Sequence, residues 1–322
     1  MSHNVHGRLK TVVLIKGAGE MATGVAHSVF RSGFLVCMTE IAEPLAVRRG
    51  VSFSEAIYDG EKIVELVKAV RELKGIEPAA GRDELPLILR KVGDNVEAFL
   101  HNFPNTTSVE EIRQQTLERP GESSSHRFNY LALAAEKSPT RLQELRQDSG
   151  GHTVDAQKQL GGVVTLGFAS MPLVFYPDFQ AGADFRLLGR QLLERRETYV
   201  IGFAQRLDAS ELGGSMKLGG RPKAFLMQGV AWADSATYHI LRMKAWLLPT
   251  DAARMSAADV VTDVDFAEVR FKQNPQPFWL PRDVEVTVVW NGRTYTNRHH
   301  YSDYRLFSVQ SQGKQADKPP GS

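Results

Sequence analysis

The residues whose types and spacing could do chemistry stand together near the start of the chain, in Gly17-Ala-Gly-Glu-Met-Ala22. The pattern is G-x-G-x-x-A, set between a continuous apolar run at residues 11–15 and a helix-like stretch at 21–32. In that setting Gly17 permits a tight turn, Gly19 lets the backbone approach a pyrophosphate, and Ala22 lets helix and strand pack closely. The helix N-terminus adds free N–H groups and a partial positive charge. Glu40, about 20 residues further along at the end of a second apolar run, stands where a carboxylate accepts a ribose hydroxyl. The chemistry so spelled is binding of a dinucleotide or another nucleotide. The plainer alternative is that the glycines serve the turn alone. Glu20 puts a negative charge beside the phosphate position, and two strands are fewer than a dinucleotide site normally uses.

The other reactive side chains are scattered. Cys37, the single cysteine, sits in an apolar run and reads as a small buried hydrophobe with no basic neighbour to activate it. In Arg298-His-His-Tyr-Ser-Asp303, the adjacent His299 and His300 point to opposite faces if the segment is a strand, so both cannot easily hold one ion. Ser170 and Ser215 lack a nucleophile-elbow context, and neither HExxH nor GxxxxGK[ST] occurs. These residues predict no catalytic and no metal site. Trp232, Trp246, Trp279 and Trp290 are expected to pack in or at the rim of a sheet, with lipid contact as the sharper reading.

The elements that must position these groups change texture along the chain. The apolar fraction of 42% and charged fraction of 24% over 322 residues are those of a globular protein with one large or two ordinary domains. A formal charge of +2 without a long like-charge run makes nucleic acid an unexpected partner. No apolar run is long enough for a transmembrane helix and no signal-peptide pattern opens the chain, so as written it is expected in the cytoplasm. Residues 11–38 read as strand, glycine turn, helix and strand, with Met21, Val25, Val29 and Phe30 as the apolar positions of the helix. Residues 59–74 predict a surface helix, with Ile63, Leu66, Val67, Val70 and Leu73 on one face. A Gly/Pro-rich linker is expected at 75–84, and an amphipathic helix at 84–102 stops before Pro104.

Beyond that point alternation replaces helical spacing. Residues 127–135, 185–193, 198–205, 224–234, 239–248, 263–272 and 283–290 read as strands, with Tyr199, Ile201 and Phe203 on one side of theirs and Val284, Val286, Val288 and Trp290 on theirs. Asn291-Gly292 is a strong hairpin signal. Residues 147–160 and 207–222 read as loops and 313–322 as a disordered tail.

Two resemblances overlay this reading. Residues 12–60, with the glycine motif, Lys16, and the dense stretch from Pro44 to Tyr58, resemble the accessory family of selenium-dependent molybdenum hydroxylase systems. That likeness covers about a sixth of the chain. It implies a Rossmann-like segment, a role in maturation with a molybdenum hydroxylase or its cofactor-insertion machinery as partner, and functional weight on Lys16, Gly17, Gly19, Thr23, Glu40, Arg48 and Arg49. As an alternative, Arg48-Arg49 is an ordinary solvated pair and His27 part of a helix surface. Residues 85–310, through Tyr199-Val-Ile-Gly-Phe-Ala, Gln228-Gly-Val-Ala-Trp-Ala-Asp and Phe278-Trp-Leu-Pro-Arg-Asp-Val, resemble uncharacterised acidobacterial envelope proteins distantly similar to outer-membrane lipoprotein-sorting carriers. That likeness implies an incomplete barrel that holds lipid or lipoprotein acyl chains without a catalytic residue, in relatives that are exported.

The sequence therefore predicts an α+β chain: a Rossmann-like βαβ segment with trailing helix at 9–74, a linker at 75–84, a larger curved antiparallel sheet with packing helices at 85–312, and a tail. Its leading function is a non-catalytic accessory protein with nucleotide binding at Lys16, Gly17, Gly19, Ala22, Thr23, Glu40, Arg48 and Arg49. The alternatives are a hydrophobic-ligand carrier, or a fusion without a coherent joint function.

Overall fold

The computed structural model describes residues 12–32, 35–40, 52–56, 61–64, 67–70, 77–78, 84–116, 119–134, 142–154, 166–206, 214–218, 221–249, 258–290 and 293–307. β1 (Val12–Lys16) and β2 (Leu35–Thr39) pair in parallel, from Val12↔Leu35 to Lys16↔Thr39, with α1 (Glu20–Arg31) as the connection. Ala18, Ala26 and Phe53 form the small core of this unit, against which Ile15, Val36, Met38 and Val64 pack. The helix turns Thr23 and Ala26 inward, whereas Met21, Val25 and Phe30 are exposed. The expected apolar stripe of α1 thus faces outward, because two strands offer cover to only one side of a helix. Among the described residues no third strand joins the pair.

The surface helix expected at 59–74 is not formed. β3 (Glu61–Val64) and β4 (Val67–Val70) pair antiparallel there. Ile63, Val64, Val67 and Val70 fit a helical stripe by spacing, but β-branched side chains lose rotamer freedom in a helix and favour the pleated form. Inside the expected linker, β5 (Glu77–Pro78) pairs with Arg190 and Gly189 at the edge of the large sheet. An edge is where a sheet tolerates proline.

The large sheet is antiparallel throughout and does not close. With β5 it comprises β6 (Thr106–Thr116), β7 (Arg119–Ala134), β8 (Leu142–Gln147), β9 (Ala183–Leu193), β10 (Arg196–Gln205), β11 (Gly214–Leu218), β12 (Arg221–Asp234), β13 (Ile240–Pro249), β14 (Ala258–Phe271), β15 (Asn274–Trp290) and β16 (Arg293–Leu306). The order across the sheet is β5-β9-β10-β12-β13-β14-β15-β16-β6-β7-β8, with β11 paired to β12 off this path. Glu194 and Arg195 both adopt positive φ, 46° and 70°, in the two-residue turn between β9 and β10. That left-handed pair gives the turn the twist of its flanking strands. The register Trp290↔Arg293 brackets Asn291-Gly292 as expected for a tight hairpin.

Alternation sets the inner face. Tyr199, Ile201 and Phe203 and, on β15, Val284, Val286 and Val288 all belong to the main core, as their period-two spacing predicts. Besides β5, the strands of the large sheet absent from the expected set are β6, β8, β11 and β16, β11 lying inside the loop expected at 207–222. β6 escapes notice because its inward positions are Thr106, Ser108, Glu110 and Ile112, three of them polar.

α2 (Leu85–Asn102) lies against this face. Ile88, Val92, Val96 and Leu100 recur every fourth residue and are all buried, each gaining about 1.5–3 kcal/mol from removal from water. A 3₁₀ turn, Met171–Phe175, wedges beside the helix at Gly93, where a Cβ would stand 2.7 Å from Gln180 Nε2 and 3.2 Å from the Phe175 carbonyl. The approach of helix and turn therefore depends on glycine at that position. The tail expected at 313–322 lies outside the described residues.

Candidate functional site

The glycine turn is built as its sequence implies, but its polar groups are largely used internally. Gly17 has φ +98° and its N–H donates to the Thr39 carbonyl at 2.6 Å. Gly19 caps α1 in extended conformation without a side-chain cap, and a Cβ on it would meet nothing within 4 Å. Ala22 stands 4.0 Å from the Cβ direction of Gly17, and Lys16 is exposed. Thr23 is buried: its hydroxyl donates to the Ala18 carbonyl at 3.0 Å and accepts the Phe53 N–H at 2.8 Å. The Ser52 hydroxyl at 2.8 Å and the Ser54 N–H at 2.9 Å also donate to that carbonyl. Glu40 accepts the Ala18 N–H at 2.6 Å. Thr23 and Glu40 thus hold the loop in shape. Arg48 and Arg49 lie outside the described residues, and His27 is half-buried on α1.

A second cluster, unmarked by any motif, is buried between β6, β8 and β16. Arg146 grips the Glu110 carboxylate with two donors, Nε at 2.5 Å and Nη2 at 2.7 Å, and the Tyr301 hydroxyl donates to the same group at 2.7 Å. His299 Nδ1 is 2.9 Å from it. Burial alone would raise the Glu110 carboxyl, but the Arg146 and His299 hydrogen bonds outweigh it and hold it at about 2. Burial lowers His299 despite those contacts, so the ring is neutral and Nδ1 carries the proton it shares with Glu110. Nearby, Glu144 accepts from the Gly167 N–H at 2.8 Å and the Ser170 hydroxyl at 3.1 Å, and burial raises its carboxyl. Phe168 packs edge-on to His299 at 5.0 Å. These contacts tie the segment that precedes the 3₁₀ turn to the sheet.

His300, on the opposite face, pairs with Asp283 at 2.7 Å, which confirms that the two histidines diverge. Around it runs a ladder of outward ion pairs, Arg298–Glu285, Arg242–Asp263 and Arg127–Glu111. Arg298–Glu285 and Arg127–Glu111 are exposed, and such pairs contribute about 0–1 kcal/mol each, whereas Arg242–Asp263 is half-buried. Among the described residues no group of three His, Cys, Asp or Glu is arranged to hold a metal.

The third feature is a cleft of about 160 Å³ between α2, the 3₁₀ turn and the ends of β13, β14 and β15. Val96, Phe99, Ile240, Phe266, Phe278 and Trp279 supply most of its wall. Phe99 lies 5.0 Å from Phe103 and 6.2 Å from Phe278, so the aromatic side is rigidly braced. The lining contains no carboxylate, serine or cysteine. His239 is lowered by burial and is therefore neutral. The lining is mostly apolar, and Asn95, Tyr238, His239 and Gln276 are its polar members. No single stretch of sequence marks it, since it is assembled from five separated segments. Trp232 is buried and Trp246 and Trp279 are half-buried in the sheet, while the Trp290 side chain lies outside the described residues.

The buried ion cluster makes a definite prediction. Glu110 and His299 both titrate below their ordinary values of 4.5 and 6.5, so the unfolded chain binds more protons in acid. Their stabilisation is complete above pH 6.5 and is lost as pH falls toward about 2; Glu144, raised, opposes it. Arg146→Met should cost about 3–5 kcal/mol in urea unfolding at neutral pH, because it strands a buried charge. Glu110→Leu with Arg146→Met should recover most of that loss and flatten the acid dependence below pH 4.5. Equal stability of the single and double variants would show that the charge is not isolated.

No family model matches the chain. An uncharacterised protein of Escherichia coli K12, YqeB, is 45% identical over 58 residues, which are 18% of this chain and 11% of that protein. The chain thus spans about a tenth of the length of that curated relative. Among solved structures it is similar to a domain described as outer membrane lipoprotein-sorting from Vibrio parahaemolyticus, at 13% identity and TM-score 0.38 over 70% of this chain and 94% of the other. A DUF1329 family protein from Desulfovibrio piger is similar at 10% identity and TM-score 0.37, covering 67% and 92%. A LolA superfamily protein from Nitrosomonas europaea is similar at 11% identity and TM-score 0.35, covering 69% and 94%.

Proposed function

We propose that the chain is a non-catalytic binding protein for an apolar group, an alkyl chain of a lipid or lipoprotein, held between α2 and the open sheet. The observation that carries this reading is the aromatic wall of the cleft, open to solvent and without a carboxylate, serine or cysteine in its lining. Water in such a space gains little from its walls, and an apolar occupant displaces it favourably. The volume, about 160 Å³, is close to the ~150 Å³ of cavities that take up benzene or xenon. It falls below the roughly 300–1,000 Å³ of sites for larger ligands. The helix and the 3₁₀ turn fill the rest of the concave face, so the occupant is one short chain or the end of a longer one. Among the described residues no helix is long and apolar enough to cross a membrane.

A variant that plugs the mouth tests this reading. Ala98 is exposed on α2 and lines the cleft, so Ala98→Trp adds bulk there without entering the core. Uptake of a fluorescent fatty acid should fall at least tenfold with the urea midpoint unchanged. Uptake by the parent chain that is absent, or equal in the variant, would contradict the proposal.

A second reading attaches to the opening unit, where the space in front of Gly19 is open and the α1 N-terminus has no side-chain cap. In it the segment binds a nucleotide and serves maturation of a molybdenum hydroxylase. Millimolar NAD or ATP should then raise the unfolding temperature, and Gly19→Glu should abolish the shift while leaving the unliganded transition in place. No shift in the parent chain would end this reading.

A further inference from the structure

The face of the large sheet turned away from α2 carries a groove of about 850 Å³, open to solvent and crossing β13, β14, β15, β16, β6 and β7. The strand register orders its outward side chains in two rows. In one, Arg242, Asp265, Asp283, His300, Glu111 and Arg127 stand opposite one another in turn. The other runs Asp263, Glu285, Arg298, Arg113 and Ser125.

Most charges in these rows are met within the fold. Arg242 pairs with Asp263 and lies 3.7 Å from Asp265, Asp283 contacts His300 at 2.7 Å and Arg282 at 2.8 Å, and Arg127 lies 3.4 Å from Glu111. Arg298 uses Nε for Glu285 at 2.7 Å, and its Nη groups have no acceptor among the described residues. Arg113 is the exception. It is exposed, makes no hydrogen bond or ion pair among the described residues, and stands directly opposite Arg298. Cβ atoms so placed are about 4.5–5.5 Å apart, and like charges there repel. On its other side Arg113 faces the exposed Ser125, whose hydroxyl also has no partner among the described residues. Glu111, two residues before Arg113 on the same face, is held by Arg127. The second row thus ends with two positive charges and a hydroxyl, balanced by the single carboxylate of Glu285.

A guanidinium presents a planar fork of N–H donors that matches the oxygens of a phosphate. Two forks and a hydroxyl on neighbouring strands suit an oxyanion with three terminal oxygens and about two negative charges, more than a carboxylate offers. The carboxylates of β14 and β15 in the rest of the groove repel a second anionic group, so the site does not suit a polyanion. We propose that Arg113, Arg298 and Ser125 form a binding site for a phosphate monoester. The site lies on the opposite face of the sheet from the cleft and does not depend on what the cleft holds. The phosphate belongs either to a small soluble molecule or to the head of a lipid such as phosphatidic acid, and the recognising chemistry is the same.

Titration of the full chain with methyl phosphate, and its sedimentation with phosphatidylcholine vesicles with and without phosphatidic acid, test the proposal. Methyl phosphate should bind saturably at millimolar concentration and fixed ionic strength. It should move the backbone amide resonances of Arg113, Ser125 and Arg298 and leave those of α2 in place. Arg113→Gln should weaken binding at least tenfold with the urea midpoint unchanged, since the side chain is exposed and unpaired among the described residues. Arg90→Gln, which removes the same charge from the exposed side of α2, should keep binding within twofold. Binding of methyl phosphate without vesicle capture assigns the site to a soluble phosphate, and capture by the phosphatidic acid vesicles that is lost in Arg113→Gln assigns it to a lipid head. Failure of both methyl phosphate and these vesicles to bind, or equal loss in Arg113→Gln and Arg90→Gln, overturns the site and leaves the apolar-ligand reading untouched.

Discussion

An antiparallel sheet that bends without closing leaves its inner face exposed, and the packing of α2 against that face is the interaction on which the rest of this structure depends. Ile88, Val92, Val96 and Leu100 insert between side chains of strands far apart in sequence, from Tyr130 and Tyr199 to Val284 and Tyr301. Without the helix the inner residues of β10, β12, β13, β14, β15 and β16 would face water. The cleft follows from the same arrangement. A straight helix cannot follow a curved sheet along its whole length, and a gap remains beside its second half, at Val96 and Phe99.

The buried Glu110–Arg146–His299–Tyr301 cluster has a different role. Its four members come from β6, β8 and β16, and Glu110 and His299 are 189 residues apart. Replacing such a group by apolar side chains is often neutral or stabilising. Its effect is therefore on arrangement: it fixes β8, the last strand of the sheet, in one register, and it orders the segment from Gly167 to Ser170 that leads into the 3₁₀ turn beside α2.

Most of the large sheet and its helix were legible in the sequence, because strong local signals agree with tertiary burial there. The helix at 84–102 and the strand β10 are read correctly to within a few residues, and the alternation at 283–290 marks the second half of β15, which starts at Asn274. β6 was missed since its inward face is polar for reasons that lie on other strands. The helix expected at 59–74 became two short strands because the same apolar spacing serves both periods, and the β-branched content decided between them. In the opening unit the order of strand, turn, helix and strand was legible, but the use of Thr23 and Glu40 as internal braces was not. That depends on Ser52, Phe53 and Ser54 returning to the loop. The cleft as a whole had no local signal, although Trp279 was among the tryptophans expected in or at the rim of the sheet.

Native-state hydrogen exchange with and without saturating pentane tests the central claim most directly, since a small alkane fills an apolar gap without supplying a polar contact. The gap between α2 and the sheet predicts that pentane slows exchange of the α2 amides and of those near Phe266 and Phe278, and leaves β1 and β2 unchanged. Exchange of α2 that is identical with and without pentane would contradict the account.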